Sequence, residues 1–93
     1  MPALFVVNDE NQSFEQAEKY SGDELLLLVV IDKNTLATRY ENSMGSIEAR
    51  ANEVKSKLEE KGVKCRLVVE WGDKTEAVSN TLIRENASLL NKF

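Results

Sequence analysis

The sequence predicts an α/β fold of three layers, a mainly parallel sheet of three or four strands flanked by helices. Three observations carry this. Leu25–Asp32, LLLLVVID, is unbroken in apolarity until its final Asp, with Gly22-Asp23 before it and Lys33-Asn34 after it. A short run that ends in β-branched residues and is bounded by turn residues suits a strand buried on both faces, as in a helix-covered parallel sheet. Ser46–Lys61 carries Ile47, Ala51, Val54 and Leu58 at intervals of four, three and four, with charges on most of the remaining positions, which is the stripe of an amphipathic helix. Finally, strand and helix signals alternate along the chain as β-α-β-α-β-α, and such alternation implies parallel strands joined by right-handed crossovers.

The elements follow in order. Ala3–Val7 is a first apolar strand ending in the polar loop Asn8-Asp9-Glu10-Asn11. Ser13 and Gln16 have the spacing of a capping box, so a short helix is expected from Phe14 to Tyr20, stopped at Ser21-Gly22 with Gly22 left-handed. Strand two is Glu24–Ile31. Asp32–Gly45 is polar and reads as a long connection of the kind that often carries function. The amphipathic helix ends at Lys61-Gly62, a basic last turn followed by glycine. Strand three is Val63–Trp71, with Cys65, Leu67, Val69 and Trp71 on one face and Lys64, Arg66, Val68 and Glu70 on the other; its half-polar face suits a sheet edge. Asp73 and Glu76 cap a last helix, about Lys74 to Asn86. Ala87–Phe93 either extends that helix or forms a short strand.

Ninety-three residues make a single domain, 1–93, which buries roughly 60–65% of its unfolded surface. The net charge of −4 and scattered basic residues argue against a nucleic-acid surface. One cysteine and no histidine exclude an internal disulfide, a His-dependent triad and a Cys/His zinc site within the chain. No segment is long and apolar enough for a membrane span, and residues 1–7 lack the charged start of a signal peptide. The cytoplasm is the expected compartment.

In a parallel sheet, ligands bind outside the carboxyl ends of the strands. Those ends are Asn8-Asp9, Asp32 and Trp71-Gly72, with Lys33 and Arg39 the nearest cations. Each has a plainer reading as well. Asp9, Glu10 and Asp32 serve as solvated turn residues, Trp71 caps the core at a strand end, and Cys65 packs as a small apolar side chain. No nucleophile–base pair or metal-ligand cluster stands out, so an enzyme is not expected.

Strands one and two both read as buried on two faces, yet three strands offer one central place. With strand two central, the apolar edge of strand one needs a cover, either the tail Ser88–Phe93 as a fourth strand or another chain. Self-association, most simply a dimer, is expected on this ground.

The pieces resemble a shortened universal stress protein. The matching segments are FVVNDENQS, LLLLVVID and EEKGVKCRLVVEWGDKTEAV, with Gly62-Val63, Leu67–Glu70, Gly72 and Glu76-Ala77-Val78 following that family's helix–Gly-Val–strand–Gly-x-x-x-Glu-Ala pattern. Asn86–Leu90 resembles the lead into the family's fourth strand. The resemblance implies an adenine-nucleotide alpha-hydrolase-like, Rossmann-like sheet and a regulatory or stress-linked binding role without catalysis. It also implies ATP or another adenine nucleotide as ligand, with Asn8 or Asp9 in place of the family's first-strand Asp. The family's glycine-rich phosphate loop after the fourth strand has no counterpart in this sequence. Candidate ligand residues are therefore Asn8, Asp9, Asp32, Lys33, Trp71 and Gly72, without metal. The alternative is a protein interaction module whose first-strand edge is completed by a partner chain.

Overall fold

A computed structural model describes the backbone of residues 2–8, 12–31 and 33–91, and the side chains of these except 33–44. The elements are β1 (Ala3–Val7), α1 (Glu15–Glu18), β2 (Glu24–Ile31), α2 (Lys33–Glu60), β3 (Lys64–Trp71), α3 (Lys74–Glu85) and β4 (Ser88–Leu89). The four strands form one all-parallel sheet in the order β3-β2-β1-β4. This is the three-layer α/β architecture expected from the sequence.

Two apolar clusters sandwich the sheet. Phe5, Val7, Leu25, Leu27 and Val29 face α1 and α2, meeting Phe14, Ala17, Ala51, Val54 and Leu58. Leu4, Val6, Leu26 and Leu28 face the other way, onto Val78 of α3. The four leucines of β2 are fully buried, each contributing roughly 2 kcal/mol of transfer free energy, which is why an unbroken apolar run is tolerated there. Phe5 and Phe14 meet with ring centroids 5.6 Å apart, and the Arg50 guanidinium lies 4.8 Å over the Phe14 ring.

Helix ends are fixed by local chemistry. Asp73 caps α3, its Oδ1 accepting from the Glu76 N–H at 3.0 Å. After α2, Gly62 N–H donates to Glu59 and Val63 N–H to Leu58, with Gly62 at φ +85°. Asn86 at φ +52° ends α3 in the same way, with Ala87 N–H donating to Leu82.

Three expectations are corrected. The connection expected over Asp32–Gly45 is helical from Lys33 on, because α2 begins there; Asp32 lies outside the described residues. In the sequence Leu36, Tyr40 and Met44 recur at intervals of four and lead at three into Ile47 and at four into Ala51, so the helical period starts about three turns earlier than Ser46, and neither Gly nor Pro interrupts it before Gly45. The capping box of α1 does not form: the helix spans only Glu15–Glu18, and Ser13 Oγ accepts from the Glu15 N–H at 3.4 Å. Gly22 has no positive φ; an added Cβ would instead collide with the Tyr20 ring.

The edge of β1 is covered by the chain's own tail. Ser88 and Leu89 lie opposite Ala3 and Leu4, Ser88 N–H donates to the Pro2 carbonyl and Leu90 N–H to the Leu4 carbonyl. Beyond Leu90 side chains take over. The Asn91 amide accepts from Val6 N–H at 2.8 Å and donates to the Val6 carbonyl at 3.1 Å, and Gln12 donates to that carbonyl and accepts from Asn8 N–H. A partner strand therefore has no place along Pro2–Asn8. The edge-based reason for a dimer at β1, and for an interaction module completed there, is removed by this pairing. β3 is the edge strand that its half-polar face indicated.

Candidate functional site

Parallel strands bring the ends of β1, β2 and β3 to one side of the sheet. Ile31 lies opposite Trp71, and the Gly72 N–H donates to the Ile31 carbonyl at 2.9 Å, tying the end of β3 to that of β2. Gly72 has φ +121°, a backbone region that other residues rarely enter, so glycine is what lets the chain leave β3 and enter α3 within two residues. Trp71 is 60% exposed, and thus does not close the core at its strand end.

The turn places Lys74, in the first turn of α3, against the end of β1. Its Nζ donates to Asn8 Oδ1. The rim is therefore laced across the top of the sheet, from Asn8 through Lys74 to Gly72. Beside it lies an open pocket of about 180 Å³ lined by Trp71, Gly72, Asp73, Glu76, Asn80 and Arg84, among others.

The electrostatics of the pocket are acidic. Glu70, Asp73 and Glu76 supply three carboxylates against Arg84, and Arg84 is already paired with Glu70 at 2.9 Å and Glu85 at 3.2 Å. Such a pocket favours hydroxyl and amine donors and disfavours phosphate, which would have to turn toward Lys74. Cys65 lies on β3 away from the rim, 6% exposed, and burial pushes its thiol up to about 11, with Glu59 and Glu24 adding to the rise and Lys55 opposing it. It is a protonated, apolar packing residue at neutral pH and not a nucleophile.

Of the residues read from the sequence, Asn8, Trp71 and Gly72 stand at the rim. Asp9 and Asp32 lie outside the described residues, and Lys33 opens α2 with its side chain outside the described set, as for Arg39. Lys74 was not singled out from the sequence, although its place was legible: the residue after a cap that directly follows β3 must stand at the carboxyl end of the sheet. Asn91 and Gln12 carry no such signal, because their role depends on which strand neighbours β1. Among the described residues, no cluster of His, Cys, Asp and Glu could hold a metal, and no helix is long and apolar enough to cross a membrane. No protein-family model, no curated protein and no solved structure matches the chain.

Proposed function

We propose that this chain is a non-catalytic, cytoplasmic binding domain of universal-stress-protein type, with a regulatory or stress-linked role and a weak adenine-nucleotide site at the carboxyl ends of its strands. The observation that carries the reading is the lacing of the rim. Lys74 joins Asn8 of β1 to the first turn of α3, beside a pocket lined by Trp71 and Asn80. A nucleoside fits the chemistry of that pocket. The base stacks on Trp71, the ribose hydroxyls donate to Asp73 or Glu76, and the phosphates reach toward Lys74, the cation on the Asn8 side. With acidic neighbours at the pocket, affinity is low and depends on a divalent ion accompanying the phosphates.

The test is a titration with Mg-ATP followed by backbone amide shifts. Saturable shifts clustered at Asn8, Trp71, Gly72 and Asn80 are expected, with the midpoint moved several-fold higher in Lys74→Ala. An absence of shifts at millimolar ATP, or shifts unaffected by Lys74→Ala, would overturn the nucleotide site.

A further inference from the structure

With β1 covered, the sheet has one long edge left among the described residues, β3, the terminal strand of the order β3-β2-β1-β4. Its hydrogen-bonding pattern is fixed by its far end. Gly72 N–H points to β2, so alternation turns the polar backbone groups of Glu70, Val68 and Arg66 inward and those of Val69 and Leu67 outward. Val69 is 39% exposed on this edge, and the strand contains neither proline nor glycine to blunt it.

We infer that β3 pairs antiparallel with β3 of a second copy of this chain, about a two-fold axis at Val68, making one continuous eight-stranded sheet. The residue pattern is self-complementary in that register and in that direction. Arg66 falls opposite Glu70 of the second copy, Leu67 opposite Val69, and Cys65 opposite Trp71, each pair occurring twice. Arg66 and Glu70 are both partly exposed, and each already belongs to a chain of ion pairs on the α3 face: Arg66 with Glu24 and Glu85, Glu70 with Arg84. Pairing joins the two networks across the axis.

The same charges disfavour parallel in-register addition, which would stack Arg66 on Arg66 and Glu70 on Glu70. An axis at Leu67 also opposes charges, Lys64 to Glu70, but sets Arg66 against Val68 and so leaves the two Arg66 ion-pair groups unjoined. The assembly closes at two copies, because the outer edge at each end is then the two-residue strand β4, too short to recruit another strand. This inference goes beyond the nucleotide reading and does not depend on it.

Sedimentation of the nucleotide-free protein across a concentration series tests it. At concentrations on the order of 100 µM a species of twice the 10.5 kDa chain mass is expected, and Val69→Lys should return it to the single-chain mass while keeping its circular dichroism spectrum. Hydrogen exchange on the unaltered chain gives a second measurement, needed if Val69→Lys does not fold. The Leu67 and Val69 amides should slow at least ten-fold from dilute to concentrated protein, while Val68 and Glu70 stay protected throughout. A single-chain mass at every concentration would overturn the proposal and leave the edge to a different chain. So would a folded, still dimeric Val69→Lys, or a dimer in which Leu67 and Val69 exchange unchanged.

Discussion

Cys65 illustrates how burial alone decides the chemistry of a residue. Its thiol sits on the inner face of β3, and with its pKa raised from 9.0 to about 11 the folded state holds the proton more tightly than the unfolded chain does. The stability this contributes is complete below pH 9 and is lost as pH rises through about 11. Across that window the unaltered protein should lose about 2 kcal/mol more than Cys65→Ala does, measured as urea unfolding at a series of pH values. At pH 7 a thiol reagent should react with Cys65 only as fast as the fold opens. Glu85 shifts in the opposite direction. The hydrogen bonds from Arg66 and then Arg84 hold its carboxyl below the usual range, so its contribution is present at neutral pH and is lost as pH falls through the lowered value. The inward direction of Cys65 was legible from the alternation of β3. The place of Lys74 at the carboxyl end of β3 was legible too, but its partner Asn8 was not, nor were the roles of Gln12 and Asn91, since these depend on the order of strands.

At the scale of elements, α2 is where local pattern and composition disagreed. Residues 33–44 are rich in Asn, Thr and Ser, which favour turns when nothing else intervenes, yet Leu36, Tyr40 and Met44 keep the period of the helix that follows. Period prevailed over composition, and a 28-residue helix resulted. The strands and α3 were legible because their signals agree: apolar runs bounded by turn residues, and an Asp cap ahead of an amphipathic stretch. Gly45 is the weak point that remains inside α2. It has helical backbone, and a Cβ placed there meets nothing within 4 Å. Gly45→Ala should therefore raise stability by about 1 kcal/mol, seen as a higher denaturant midpoint with an unchanged slope. A lower midpoint would mean that the helix is interrupted at this residue in solution.

At the scale of the whole molecule, the two edges of the sheet are treated differently. Beyond Leu90 the β1 edge is closed by amide side chains, with Asn91 meeting the Val6 N–H. Asn91→Leu keeps the volume and removes both hydrogen bonds. It should cost about 1–3 kcal/mol and increase light scattering on warming, because a bare stretch of an apolar strand becomes available for pairing. If Asn91→Leu instead left both stability and scattering unchanged, water would be satisfying Val6 as well as the amide does. The need for a cover over β1 could be counted from the sequence, because two doubly buried strands cannot both be central among three. Which segment supplies it could not, because a two-residue strand has no pattern of its own.

The pairing of β1 with β4 also orders events in time. Val6 and Asn91 are 85 positions apart, whereas α2 and β3 follow β2 directly. Closing so long a loop is entropically dearer than docking neighbours, and contacts of high sequence separation form slowly. β1 and β2 partners are 22 positions apart and β2 and β3 partners 40, so these three strands can pair without the tail, whose docking is what turns β1 from an edge into an interior strand. A molecule that has lost only the tail pairing keeps both apolar clusters largely intact, yet presents a bare apolar strand. Detachment of the tail, which needs far less than global unfolding, is therefore the opening expected to make concentrated protein adhesive.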